Sequence, residues 1–225
     1  MTRVAITTDR FADVAPAFRR FGLIPVWLPC ITVEPAKSDL LIEARQAAAS
    51  ADLLVISSAR TIDLLWPFGL MPSIEIAVVG SRTAAAATAR GGRVVASGSS
   101  GLCDLIGQIG ERIGDRRVAC LHAAGADPAA IRALRDQTPN LRDFEVYRTI
   151  PAAPDHDPVE AASFASPSAV EGWLLSRDFD EVVVGAIGAT TAAAVDLRRS
   201  PEVVAPEPSH DALARAMAEY LEVSF

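Results

Sequence analysis

The chain repeats itself at long range. Val55-Ile56-Ser57-Ser58-Ala59-Arg60-Thr61-Ile62 is answered by Phe164-Ala165-Ser166-Pro167-Ser168-Ala169-Val170, with Ser58 and Ser166 108 residues apart. In each copy a glycine turn follows the serine after 22 residues: Val78-Val79-Gly80-Ser81-Arg82-Thr83 in the first and Ala186-Ile187-Gly188-Ala189-Thr190-Thr191 in the second. Each copy then runs into a Val-Val-Ala strand, at 94–96 and 203–205, and on to a leucine-bearing helix. A repeat of this length is a supersecondary block. It predicts two similar domains facing each other across a cleft, and clefts between domains bind small molecules.

Length and charge narrow the classes. A chain of 225 residues, half of them hydrophobic, has material for two cores of about 100 residues each. Its net charge is −7, and no Lys or Arg cluster exceeds a pair such as Arg116-Arg117, which argues against nucleic-acid binding. The opening residues lack the apolar core of a signal peptide, and no stretch is long and apolar enough to span a membrane, so a soluble cytoplasmic protein is expected. Cys30, Cys103 and Cys120 are odd in number, far apart and set among apolar neighbours, the pattern of buried free thiols. His122, His156 and His210 share no ligand spacing, so no metal site is expected.

Strands alternate with helices along almost the whole chain. Val4 to Thr7 reads as a strand, Ala12 to Phe21 as a helix closed by Gly22, and Pro25 to Val33 as one long extended run. Helix is expected over 40–49, 61–66, 83–90, 102–113 and 129–135, and strand over 53–56, 76–79, 94–95 and 118–121. A second extended run covers 144–150. The second copy repeats the order, ending in a helix over 212–221. Short apolar strands separated by helices imply βαβ units and parallel sheets covered on both faces. The second copy supplies only three strands from residue 160 onward, while the first strand and helix belong to no complete unit. Joining residues 1–32 to 152–225 in one domain, and leaving 33–151 as the other, resolves both shortages. The extended runs 29–34 and 146–151 are then the candidate crossings, and the proline-rich segment 151–158 fits an exposed linker.

These motifs, taken in order, resemble a known family. The Ser-Ser-Ala-Arg and Ser-Pro-Ser-Ala-Val turns, the two Gly-x-x-Thr turns, Val146-Tyr147-Arg148-Thr149 and Glu207-Pro208-Ser209 are similar to the uroporphyrinogen-III synthase family over nearly the whole chain. The resemblance implies two flavodoxin-like, doubly wound parallel-sheet domains joined by a two-stranded linker, with a cleft between them. It also implies a monomeric, cofactor-free lyase of haem and tetrapyrrole biosynthesis. Such an enzyme cyclises hydroxymethylbilane, a linear tetrapyrrole handed on by hydroxymethylbilane synthase, with inversion of the last ring.

For an octacarboxylate ligand, the expected binding residues are those of the strand-to-helix turns: Ser57, Ser58, Gly80, Ser81, Thr83, Ser166, Ser168, Gly188, Thr190 and Thr191. Backbone N–H groups and helix dipoles at such turns favour anions. Ser and Thr there are equally the preferred helix N-caps, so both readings stand. Arg10, just after the first strand, is the basic residue the resemblance suggests for the same task. Tyr147 matches the family's Val-Tyr tyrosine, the candidate proton donor, because a phenol is protonated at neutral pH. Its alternative is packing on an interdomain strand. A non-catalytic, two-lobed binding or sensor protein for an anionic ligand is the competing function. A nucleotide enzyme is disfavoured because no Gly-x-Gly-x-x-Gly follows a strand.

Overall fold

The protein, described from a computed structural model over residues 2–99 and 101–223, divides into two compact units. One contains residues 1–33 and 149–225, and the other residues 34–148.

The first unit is built on β1 (Arg3–Ile6), α1 (Phe11–Arg20) and β2 (Ile24–Trp27). Chain passes between the units run through β3 (Ile31–Pro35) and, later, β8 (Leu141–Pro151), which are neighbours in one sheet. The second unit holds α2 (Ser38–Ser50), β4 (Leu53–Ile56), α3 (Ala59–Leu65), β5 (Glu75–Val79) and α4 (Ser81–Ala89). It continues with β6 (Arg93–Gly98), α5 (Leu102–Ile113), β7 (Val118–Ala123) and α6 (Pro128–Gln137). The chain then returns to the first unit with β9 (Ala161–Phe164), α7 (Pro167–Trp173), β10 (Val183–Ala186), α8 (Ala189–Asp196), β11 (Val203–Val204) and α9 (His210–Val223).

The first sheet runs β11-β10-β9-β1-β2 and the second β3-β8-β7-β4-β5-β6. All the pairings from β4 to β8, and all those in the first sheet, are parallel. Both faces are covered, as parallel sheets require. In the first unit Val4 and Ile6 of β1 join Phe18 of α1 and Leu213 and Met217 of α9 on one face. Ala5, Phe164, Trp173 and Val184 form the other face. In the second unit Leu53, Val55, Val118 and Cys120 pack under α5 and α6. Their alternates Leu54, Ile56, Ala119 and Leu121 are fully buried on the opposite face. Two-residue periodicity with both phases apolar explains why these strands read as continuous hydrophobic runs.

Topology gives the repeat its meaning. The segments β4-α3-β5-α4-β6-α5 and β9-α7-β10-α8-β11-α9 are the two copies already visible in the sequence, each forming three consecutive neighbours of its sheet. The remaining halves also correspond. The unit β1-α1-β2 stands beside β9 as β7-α6-β8 stands beside β4. With this guide, Arg3-Val4-Ala5 and Ala12-Asp13 are seen to recur as Arg117-Val118-Ala119 and Ala126-Asp127, 114 residues on. The chain is therefore two tandem copies that have exchanged halves, each sheet combining the first half of one copy with the second half of the other. The helix α2 has no counterpart, because residues 152–159 contain no helix.

Two expectations are corrected. The run from Pro25 to Val33 is not one strand: it breaks at Leu28-Pro29-Cys30, and its two parts enter different sheets. Pro29 has no N–H to continue a ladder. Cys103 is exposed rather than buried, its thiol donating to Asp127 Oδ2 at 3.4 Å. Cys30 and Cys120 are buried, and burial pushes each thiol up to about 12.

Candidate functional site

All strand-to-helix turns of a parallel sheet lie along its carboxyl edge, and ligands bind there where strand order reverses. The reversal falls between β1 and β9 in the first unit and between β4 and β7 in the second.

In the first unit, β1 ends in the Thr7–Arg10 turn. Thr7 and Ser163 lock the reversal from inside: the Thr7 hydroxyl donates to the Ser163 carbonyl at 2.6 Å, and the Ser163 hydroxyl to the Ala5 carbonyl at 2.8 Å. The Thr8 hydroxyl accepts from the Arg10 N–H at 3.4 Å. Arg10 sits at the N-cap of α1, with Nη1 3.8 Å from Asp13 Oδ2. Beside this turn, β9 leads into Ser166 and Ser168. The Ser166 hydroxyl accepts from Ala169 N–H at 3.3 Å, capping α7, and Ser168 lies half-buried one residue inside the helix. Gly188 precedes α8 without any side-chain cap. Thr190 is exposed, whereas Thr191 is buried at 3%.

The second unit repeats the pattern. Ser57 follows β4, half-buried, its N–H donating to the Leu121 carbonyl at 3.3 Å. The Ser58 hydroxyl accepts from Arg60 N–H at 3.2 Å and caps α3. Gly80 precedes α4 at φ 82°, a left-handed value that glycine adopts without steric cost, and again no side chain caps the helix. Ser81 is exposed and Thr83 is buried at 4%. Thr83 and Thr191 are therefore set aside as contacts, because the third helical residue of each Gly-x-x-Thr turn points into the core.

A division of labour emerges within each copy. The first turn is serine-capped, so its oxygen lone pair is engaged with its own helix, although a hydroxyl retains a proton to donate. The second turn begins with glycine and leaves the first-turn N–H groups of α4 and α8 without a side-chain cap. A helix N-terminus with free N–H groups is a ready-made anion site.

Tyr147 lies on β8 level with the carboxyl end of its neighbour: it registers with Ala123, the last residue of β7, and its carbonyl accepts from Ala124 N–H at 2.7 Å. The residue is 8% exposed. Arg60, from the first turn of α3, places its guanidinium carbon 5.6 Å from the Tyr147 ring centroid. Nothing in the Ser-Ser-Ala-Arg motif by itself marks Arg60 for this contact. Only the pairing of β4 with β7, which sets α3 beside β8, brings it to the tyrosine. Asp127, at the last of these turns, caps α6 through the Ala129 N–H and also holds the Cys103 thiol. These hydrogen bonds hold the Asp127 carboxyl below its ordinary range. Among the described residues, no three His, Cys, Asp or Glu side chains gather as a metal ion would require. No helix there is long and apolar enough to cross a membrane.

Parallel sheets covered by helices on both faces, with helix N-termini along their carboxyl edges, define a class: a doubly wound α/β protein. Comparison with known proteins is more specific. The family model described as "Uroporphyrinogen-III synthase HemD" matches residues 12–215. The chain belongs to the uroporphyrinogen-III synthase family, whose enzymes act in porphyrin synthesis on a tetrapyrrole. The fold is similar to that of the Helicobacter pylori uroporphyrinogen-III synthetase, at TM-score 0.67 and 16% identity, covering 100% of this chain and 99% of that one. It is also similar to a variant of the Thermus thermophilus uroporphyrinogen III synthase, at TM-score 0.63 and 16% identity, covering 99% and 100%. No curated protein sequence matches significantly.

Proposed function

We propose that the chain is a cofactor-independent lyase that closes hydroxymethylbilane to uroporphyrinogen III, inverting the last ring, with Tyr147 as the proton donor. The observation that carries this reading is the family match across residues 12–215.

The chemistry asks little of the protein. An electron-rich pyrrole expels its neighbouring hydroxymethyl oxygen. That C–O bond breaks as the Tyr147 phenol gives the departing oxygen a proton, water leaves, and loss of the pyrrole N–H proton yields an azafulvene. The substituted α-carbon of the terminal ring attacks the exocyclic methylene, forming a spiro centre. One bond of that centre breaks and re-forms at the other α-carbon, which loses its proton, and the two released protons restore the pyrrole N–H and the Tyr147 phenol, leaving the ring inverted. The net change is loss of one water. The protein therefore contributes orientation and one general acid.

Orientation comes from the carboxyl-edge turns of each unit. The uncapped N-termini of α4 and α8, together with Ser81 and Thr190, receive substrate carboxylates. Ser57, Ser58, Ser166 and Ser168 add hydroxyl donors, and Arg10 and Arg60 supply positive charge. Each hydrogen bond to a charged group contributes roughly 1.5–3 kcal/mol. Such contacts let a protein of net charge −7 hold a polyanion without a basic patch. The deciding assay supplies hydroxymethylbilane and separates isomers III and I of the product. Isomer III is expected, and isomer I alone, the spontaneous product, would show that the chain does not catalyse the inversion.

A further inference from the structure

Trp27 is the last residue of β2, the edge strand of the first sheet, and it is 53% exposed, whereas Trp66 and Trp173 are buried. Its indole is nonetheless fixed. Nε1 donates to the Thr8 carbonyl at 3.1 Å, and the ring lies 6.2 Å from that of Phe11 at an interplanar angle of 34°. The backbone around it grips the same turn: the N–H groups of Leu28 and Cys30 donate to the carbonyls of Ile6 and Thr7 at 3.2 and 2.9 Å. Segment 27–30 thus holds the Thr7–Arg10 turn, one wall of the strand-order reversal in this unit. A half-exposed indole adds little to a core. Held by a hydrogen bond at the ligand-binding edge, it is a flat π surface of fixed orientation, suited to stack on another flat ring.

We infer that Trp27 positions the substrate: its indole stacks on a pyrrole ring of the bound linear tetrapyrrole while its N–H holds the Thr7–Arg10 turn in place. This rests on the function proposed above. Carboxylate contacts at the turns recognise the substituents of the tetrapyrrole, and they do not fix the tilt of any ring. An aromatic face does so, which matters when one ring must present its substituted carbon.

Acrylamide quenching of tryptophan fluorescence reads mainly Trp27, because the other two indoles are buried. Uroporphyrinogen III, kept reduced, serves as the probe. It is expected to at least halve the quenching of the wild-type protein, and Trp27→Phe to remove this dependence on the probe. Trp27→Ala should raise KM for hydroxymethylbilane about two- to tenfold, the range for an aromatic pair, with Trp27→Phe in between. Wild-type protein that makes isomer III, with quenching undiminished by the probe and KM unchanged in Trp27→Ala, overturns the inference and leaves the function standing. Variants that lose melting temperature while KM and probe protection stay wild-type also overturn it. Wild-type protein yielding isomer I alone overturns the underlying function, and the inference with it.

Discussion

Replacing Gly172 by alanine sets two physical effects against each other, and their sizes predict the outcome. Gly172 lies inside α7, where alanine gains about 1 kcal/mol of helix propensity. A Cβ there, however, would stand 1.8 Å from the Cys30 carbonyl oxygen and 2.8 Å from that of Ala152. Both atoms are backbone, and they belong to the segments by which the chain leaves and re-enters the first unit, tied by the Ala152 N–H donating to Cys30 O at 2.8 Å. No side chain can rotate away, so α7 or the crossing strands must move by more than 1 Å to restore a normal contact. Overpacking usually costs 1–3 kcal/mol, and a backbone clash belongs at or above the top of that range. Subtracting the propensity gain leaves a net loss of about 2 kcal/mol, or roughly 4–8 °C in Tm for a chain of this size. Gly107 on α5 is the control: it is exposed, nothing lies within 4 Å of its would-be Cβ, and alanine there should stabilise by about 0.5–1 kcal/mol. Urea and thermal unfolding of the two variants would read opposite signs. A Gly172→Ala protein melting at or above wild type would refute the packing argument. Because α7 carries Ser166 and Ser168 at its start, the same variant should also raise KM.

Four further outcomes follow from the same geometry. Tyr147→Phe keeps the buried ring and removes only the acidic proton, so kcat should fall by roughly 10²- to 10⁴-fold with Tm nearly unchanged; loss of Tm in step with activity would assign the residue to the core. Thr190→Ala should raise KM about tenfold at unchanged Tm, from loss of one bond to a charged group, whereas Thr191→Ala, at a buried site, should lower stability by about 1 kcal/mol and leave KM alone; the reverse pattern would contradict the division between them. Asp52, hydrogen-bonded by the Arg117 guanidinium, is held down to about 2. A carboxyl depressed on folding stabilises above its unfolded value and loses that contribution as pH falls toward its folded one, so Asp52→Asn should shrink the drop in urea midpoint between about pH 5 and about pH 2, and an undiminished drop would refute this. Under native conditions a thiol reagent should label only Cys103, slowly because Asp127 raises its pKa, while Cys30 and Cys120 should react only after unfolding; rapid native labelling of more than one thiol would contradict the burial.

The sequence by itself determined the architecture's parts. Continuous apolar strands at regular spacing could only make parallel sheets covered on both faces, and the serine and glycine turns, 22 residues apart in both copies, marked the strand-to-helix turns of the carboxyl edges. Strand counting already joined residues 1–32 to 152–225; what the sequence did not determine was the order in which the strands lie within each sheet. Apolar strands such as Val4–Ile6, Leu53–Ile56 and Val118–Leu121 bury equally well against several neighbours, so their partners depend on the connections. Here, β1 lies beside β9 and β7 beside β4. Side-chain direction was likewise undecided: Thr83 and Thr191 carry the same signature as exposed turn residues, yet helical phase turns them inward, while Ser58 and Ser166 bond to their own helices. Arg60 meets Tyr147, and Trp27 meets Thr8, only through the sheet pairings that set α3 beside β8 and β2 beside β1. Local chemistry is written along the chain, but contacts between distant segments follow from tertiary pairing, because burial rewards any apolar partner and the geometry of the sheet selects one.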